Sequence, residues 1–175
     1  SQAEDEPVDK VGLMSLQGAD EKFLEVYFEA LKQKALENYG KALAALEQCL
    51  EIYDSEPAVY HELGKIHYLL GNYNHSAKYL RQARILAPAN QLVLLDLYKS
   101  YVLSTQFQEA LEVVKELSQV DHMYKEDLAH MYFITEHYDE ALGVLDQLDE
   151  QWGYHPRRTG LRRQIYAVTD NVDGK

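Results

Sequence analysis

The sequence is poor in the residues that build disulfide-stabilised, zinc-stabilised and membrane-spanning structures. It has a single cysteine, Cys49, which excludes an internal disulfide framework and a cysteine-rich zinc site. No apolar run approaches the length of about eighteen residues that a membrane helix needs. We therefore expect no direct membrane insertion.

Basic residues are also scarce. The 17 lysines and arginines are outnumbered by 29 aspartates and glutamates, which gives a net charge of -12 at pH 7. Because the phosphates of nucleic acids and the headgroups of anionic lipids would repel such a chain, we expect no nucleic-acid partner.

The motifs of common catalytic and metal sites are missing. The sequence has no phosphate-binding glycine loop, and nothing in it marks an activating base for Cys49. Its seven histidines include no pair with the i, i+4 spacing of a helical zinc site. We therefore expect no enzyme activity, no cofactor and no metal. Cys49 should lie on the buried stripe of a helix, where a free cysteine behaves as a small apolar residue. His67 should be packed and hydrogen-bonded to a neighbour.

What the sequence does have is a recurring pattern of two helices and a turn. The clearest copy joins Leu63-Gly64 to Ser76, Leu80 and Pro88. The small residue of the second helix recurs at intervals of 34, 34 and 31 residues, at Ala42, Ser76, Ala110 and Ala141. An aromatic residue keeps the same phase in each turn, at Tyr39, Tyr73, Phe107 and Tyr138.

This pattern resembles the tetratricopeptide repeat, W-x₂-L-G-x₂-Y, then A-x₃-F, then P, over 34 residues. The resemblance implies an all-α fold, a right-handed α-solenoid of about four helix hairpins closed by a C-terminal capping helix. The expected segments are an acidic, flexible N-terminal segment at 1–19, repeats near 20–54, 55–90, 91–120 and 121–150, a capping helix at 151–170 and a tail at 171–175.

The pattern also predicts local details. Small residues should face each other where the two helices of a hairpin cross, in the pairs Ala30/Ala42, Gly64/Ser76 and Ala129/Ala141. The three residues missing before the fourth repeat should shorten the second helix of the third repeat, near Val120-Asp121. The capping helix should carry a polar outer face, built from Arg157, Arg158, Arg162 and Arg163.

The family's first helices line a concave groove, so the resemblance implies a non-catalytic scaffold that binds a protein or peptide there. The groove residues carried over from the family are Tyr27, Phe28, Leu31, His61, Glu62, Lys65, Tyr68, Asp96, Lys99, Asp127, His130, Phe133 and Arg163. We expect Tyr27, Phe28, Tyr68 and Phe133 to act as apolar anchors, and Glu62, Lys65, Lys99 and Asp127 to select register by charge.

Two alternatives remain open at this level. The array could be a spacer or self-association module of a larger assembly, and a homo-oligomer is possible. The groove could also be filled by the N-terminal segment or by the closing helix. One subclass is excluded: the chaperone-binding members hold a C-terminal carboxylate with basic and amide side chains, where this sequence has Tyr27, Leu31, Glu62, Leu92 and Asp96.

Overall fold

The described part of the chain is built from helices. A computed structural model describes residues 20–173, which contain α-helices, one short 3₁₀ helix and no strand. The predicted N-terminal segment, 1–19, lies outside the described residues. The helices are α1 Asp20–Ala35, α2 Tyr39–Ile52, α3 Pro57–Leu69, α4 Tyr73–Leu86, α5 Gln91–Leu103, α6 Phe107–Val120, α7 Lys125–Ile134, α8 Tyr138–Trp152 and α9 Pro156–Asp173.

The chain divides into two compact units. Unit 1 extends to Ser100 and unit 2 starts at Tyr101, so the boundary lies within α5. In unit 1, α1 packs on α2, α2 on α3, and α3 on α4. In unit 2, α6 packs on α7, α7 on α8, and α9 on both α7 and α8. Each unit is therefore a short stack of helices, in which a hairpin buries its apolar stripe against the next helix.

The turn inside each hairpin is the same structure repeated. At the end of each first helix one residue takes a positive φ: Glu37 at 61°, Gly71 at 77°, Thr105 at 58° and Glu136 at 64°. The next residue donates its backbone N–H to a carbonyl five positions back, at 2.7–2.8 Å. Only one of the four is a glycine, so three side chains sit in a backbone region that glycine tolerates better.

The predicted contact between small residues is present in the second hairpin. Ser76 Oγ donates to the backbone oxygen of Gly64 at 2.7 Å, and both residues are fully or nearly fully buried. A Cβ on Gly64 would lie 2.5 Å from Leu80 Cγ, so α3 and α4 approach at a distance that only glycine allows. The hydroxyl of Ser76 also lies 2.8 Å from that of Ser100, which ties α4 to α5 within unit 1.

The prediction about the missing residues was wrong in its location. The second helix of the third repeat, α6, keeps the 14 residues that α2 and α4 have. The first helix of the fourth repeat is the short one, since α7 has 10 residues where α3 and α5 have 13. A 3₁₀ turn at His122–Tyr124 replaces its first turn, and the side chain of Asp121 caps this turn by accepting from the Met123 N–H at 2.9 Å. The deletion therefore leaves the buried stripe of α6 intact.

Cys49 lies on the buried stripe of α2, as predicted. Its side chain is inaccessible to solvent, and its Sγ lies 4.0 Å from the backbone oxygen of Phe23 on α1. Burial raises the pKa of the Cys49 thiol to about 11, against a smaller lowering by the backbone. The thiol is therefore protonated near neutral pH and behaves as a small apolar group.

His67 packs as predicted but does not hydrogen-bond a neighbour. Its ring is stacked against the rings of His75 and Tyr79, with centroid distances of 5.4 and 5.3 Å. Its buried Nδ1 has no hydrogen-bond partner among the described residues. Burial lowers the pKa of His67, the charge of His75 lowers it further, and Glu47 opposes both. The neutral ring is thus held by stacking.

Candidate functional site

The first helices of unit 1 are joined side by side by ion pairs. Lys34 on α1 contacts Glu62 on α3 at 2.7 Å. His61 on α3 contacts Asp96 on α5 at 2.7 Å. These pairs bring together α1, α3 and the unit 1 part of α5, and we call their shared surface the first-helix face. The predicted groove residues of unit 1 come from these three helices.

Glu62 is the electrostatic centre of this face. The residue is only 8% exposed, and its carboxylate contacts Lys34 at 2.7 Å and Lys65 at 2.5 Å. Burial alone would raise the pKa of Glu62, but hydrogen bonds and charge from the two lysines outweigh it and lower that pKa below its usual value. Glu62 is therefore committed to holding α1 against α3. Its predicted role in selecting a partner's register stays a prediction.

This arrangement has a measurable consequence in acid. Because the pKa of Glu62 is lower in the folded than in the unfolded chain, its stabilising contribution is full above the unfolded value of about 4.3 and is lost as pH falls through the folded pKa. We expect a carbon-detected NMR titration to place the Glu62 midpoint below that value. Lys34→Met should raise the midpoint and Lys41→Met should leave it unchanged; an equal midpoint in all three proteins would contradict the coupling.

A pocket of about 190 Å³ opens on the first-helix face. We call it the lysine pocket, and its lining residues are Lys34, Gly64, Lys65, Tyr68, Leu69, Leu80, Asp96 and Lys99. Leu69 is 57% exposed and Tyr68 is half-buried, so apolar surface is open to solvent there. The three lysines of the pocket face two carboxylates. Glu62 pairs with both Lys34 and Lys65, and Asp96 pairs with His61. The pocket therefore has an excess of positive charge.

The remaining predicted residues of unit 1 differ in exposure. Tyr27 is 4% exposed and stacks on Phe23 at a centroid distance of 6.2 Å, so it belongs to the core and leaves little surface for its predicted role as an apolar anchor. Phe28 is 49% exposed and meets Tyr27 edge-on at 6.0 Å. Leu31 is half-buried. The residue that sequence reasoning missed is Lys34, whose signal was its place in the first repeat, one repeat before Tyr68.

Unit 2 has a pocket of about 330 Å³ between α7 and α9, closed by one residue of α8. We call it the α7–α9 pocket, and its lining residues are Glu126, Asp127, His130, Leu145, Arg157, Arg158, Gly160, Leu161 and Gln164. It brings the predicted residues Asp127 and His130 together. The other two predicted residues of unit 2, Phe133 and Arg163, do not line it. Phe133 is half-buried with its ring 6.0 Å from that of Tyr138, and Arg163 is exposed.

One of the four arginines expected on the polar face of the last helix is buried instead. Arg158 is 6% exposed, and its guanidinium contacts Asp149 at 2.6 Å and Glu126 at 2.9 Å. It also donates to the backbone oxygen of Gly153. Hydrogen bonds from Arg158 and Arg162 lower the pKa of Asp149 below its usual value. Arg158 therefore fastens α9 to α7 and α8, and the prediction of a solvated side chain is wrong for it.

Three features of the described residues concern metal-binding groups, the cysteine and membrane-spanning helices. No group of three or more histidine, cysteine, aspartate or glutamate side chains within residues 20–173 could hold a metal ion. The only cysteine is buried and protonated. Within the same residues, no helix is long and apolar enough to cross a lipid bilayer.

The second hairpin, α3 and α4, matches a known protein family. A family model described as Tetratricopeptide repeat matches residues 57–90, the span from the first residue of α3 to the end of the turn after α4. Residues 57–90 therefore match the tetratricopeptide repeat. No curated protein matches the sequence.

Several solved structures share this fold. YrrB, a tetratricopeptide-repeat protein with an unusual peptide-binding site, is 17% identical, with a TM-score of 0.71 over 89% of this chain and 85% of its own. MamA from AMB-1 is 16% identical, with a TM-score of 0.68 over 86% of this chain and 84% of its own. A chain of the Naa15/Naa10 complex bound to HypK-THB is 15% identical, with a TM-score of 0.75 over 90% of this chain but 26% of its own.

These likenesses confirm the predicted fold class, an all-α array of tetratricopeptide-like hairpins. Tetratricopeptide repeats are in general non-catalytic scaffolds that bind proteins or peptides. The family match therefore supports a protein-interaction scaffold as the broad function.

Proposed function

We propose that the protein binds an extended or helical peptide segment of a partner along the first-helix face of unit 1, with the lysine pocket as its main anchoring site. The observation that carries this proposal is the convergence of three successive first helices on one open pocket. Two sets of side chains meet there, the half-buried Tyr68 with the exposed Leu69, and the cations Lys65 and Lys99. YrrB, a protein of the same fold, has a peptide-binding site.

The composition of the pocket sets the chemistry of the partner segment. Lys65 and Lys99 occupy the same position in consecutive repeats, and Lys99 has no carboxylate partner among the described residues. Tyr68, Leu69 and Leu80 supply an apolar wall beside these charges. A segment with an acidic side chain next to an apolar one therefore fits the pocket, since opposite charges steer the encounter and the apolar group gains burial.

The test is a selection of peptides from a random displayed library against the full chain. We expect the enriched peptides to carry an acidic residue beside an apolar one. For a selected peptide, the Lys65→Glu/Lys99→Glu variant should lower the affinity by at least about tenfold, which corresponds to about 1.4 kcal/mol. Fluorescence anisotropy of the labelled peptide measures this change.

The matched control is Lys41→Glu/Lys78→Glu. These lysines are exposed on the second helices α2 and α4, so the control changes the net charge by the same amount away from the first-helix face. It should bind the selected peptides as the unmodified chain does. If both variants lost the same affinity, the loss would be an effect of net charge and not of the pocket, and the proposal would be rejected. A selection that enriches no peptide would also reject it.

A further inference from the structure

We propose that the α7–α9 pocket of unit 2 binds a basic side chain, the ammonium group of a lysine or the guanidinium of an arginine, with Asp127 as its counterion. This proposal deepens the proposed peptide-binding function and rests on it, since such a side chain would arrive as part of a bound segment. The α7–α9 pocket would be a second anchoring site, which prefers a basic side chain where the lysine pocket prefers an acidic one.

The pocket has the size and lining for one side chain. Its volume of about 330 Å³ lies at the small end of the range of ligand pockets. Leu145 and Leu161 provide an apolar wall suited to the aliphatic stem of a lysine or arginine. Asp127, His130 and Gln164 provide polar groups from two helices that pack on each other.

The charges within the pocket leave one carboxylate available. Arg158 uses its Nε and one terminal nitrogen on Asp149 and Glu126, and its other terminal nitrogen on the Gly153 carbonyl. Glu126 is thereby neutralised. Asp127 forms no ion pair with any lysine or arginine of residues 20–173. The pocket therefore offers one unpaired carboxylate, that of Asp127, next to the exposed guanidinium of Arg157.

The environment of Asp127 supports this assignment. Burial raises the pKa of the Asp127 carboxyl above its usual value, the charge of His130 opposes this, and Glu126 adds to it. A cation entering the pocket would offset the cost of burial, because it favours the ionised carboxylate. The position of Asp127 in the first turn of α7 accounts for an acidic residue there through the helix dipole, but not for its facing a pocket.

Replacing Arg157 distinguishes a cationic ligand from an anionic one. It lines the same pocket, it is exposed, and it has no carboxylate partner among the described residues. Water and salt screen its charge. If the ligand is a cation, replacing Arg157 by glutamine removes a repulsion and strengthens binding. If the ligand were an anion, the same change would weaken binding.

The test uses the full chain and a small probe, Nα-acetyl-L-lysine amide, with Nα-acetyl-L-norleucine amide as the uncharged comparison of the same stem. We expect NMR to show saturable shifts at Asp127, His130 and Gln164 for the lysine probe, with an affinity of the order of millimolar, and none for norleucine. Asp127→Asn should weaken the lysine probe by at least about tenfold, and Arg157→Gln should strengthen it.

A pair of glycine variants tests the cavity without touching a charge. Gly160 lines the pocket, and a Cβ built on it meets no atom within 4 Å, so Gly160→Met fills the space and should abolish the shifts. Gly143 of α8 has the same open surroundings but does not line the pocket, so Gly143→Met should leave them unchanged. Circular dichroism checks that both variants keep their helices.

The proposal is overturned if norleucine produces the same shifts, if the lysine probe still binds Gly160→Met, or if Arg157→Gln weakens binding. Its failure is distinct from failure of the proposed function. The lysine probe reports on unit 2 alone, whereas the selected acidic peptides and the Lys65→Glu/Lys99→Glu variant report on unit 1.

Discussion

Replacing Gly64 by alanine should lower the free energy of unfolding of unit 1 by about 2 kcal/mol. The added Cβ would lie 2.5 Å from Leu80 Cγ and 2.6 Å from Leu80 Cδ2, well inside contact distance. Leu80 is completely buried, so the added methyl group must displace its side chain or separate α3 from α4, and either change disturbs the packing. Overpacking of this kind costs about 1–3 kcal/mol, more than the 0.5–1 kcal/mol that alanine gains as a better helix former. Urea unfolding followed by far-ultraviolet circular dichroism measures the loss.

Two further variants separate the close contact from other effects of the added methyl group. Gly143→Ala, in α8, adds a Cβ with no atom within 4 Å, so it should stabilise by about 0.5–1 kcal/mol. Leu80→Ala alone should destabilise, but combined with Gly64→Ala it leaves room for the new methyl group. The double variant should therefore be more stable than the sum of the single changes predicts. Additive effects would show that Leu80 is not the obstacle.

Replacing Arg158 by methionine should destabilise unit 2 by about 2–3 kcal/mol. The change keeps an unbranched stem but removes the guanidinium that contacts Asp149, Glu126 and the Gly153 carbonyl. Breaking a buried ion pair by removing one partner costs about 3–5 kcal/mol, and the partial exposure of the two carboxylates lowers that figure here. Urea unfolding measures the difference. Arg163→Met, on an exposed arginine of the same helix, should change stability by less than about 0.5 kcal/mol.

The pH dependence of this destabilisation gives a second check. The pKa of Asp149 is lowered in the folded chain, so the stability that its charge contributes is complete above the unfolded value of about 3.9 and is lost as pH falls through the folded pKa. The gap between the unmodified chain and Arg158→Met should therefore narrow in acid. A gap that stays constant from neutral pH to pH values well below the unfolded pKa would mean that Arg158 acts through packing alone.

The sequence predicted the fold because residues of the same kind recur at the same place in each hairpin. The close crossing of the second hairpin needs a residue without a Cβ at position 64. The small residue at position 76 recurs at Ala42, Ala110 and Ala141, and this recurrence gave the phase of the other hairpins. The phase says less about helix length. Both places where three residues could be lost, the end of α6 and the start of α7, fit the same spacing of buried residues, and only the structure distinguishes them.

The candidate site was less predictable because exposure depends on neighbours. Tyr27 and Phe28 are adjacent aromatic residues on one helix, yet the first is in the core and the second is half-exposed. Arg157 and Arg158 are equally adjacent, yet only Arg158 is buried, between acids on two other helices that lie 9 and 32 residues away in sequence, Asp149 and Glu126. The charge of each pocket likewise depends on which of its carboxylates are already in ion pairs. The spacing of residues in the sequence does not reveal these pairs.

The buried thiol of Cys49 makes the chain its own reporter of local opening. With a pKa of about 11, only about a thousandth of the thiol is ionised at pH 8, and none of it is accessible to solvent. A thiol reagent can therefore react only after α1 and α2 separate. Because the chain has one cysteine, the rate of modification under native conditions measures how often the first hairpin opens, without any engineered label. A ligand that binds only the closed form of unit 1 would lower the rate of thiol modification. The factor by which the rate falls equals the factor by which the ligand shifts the opening equilibrium.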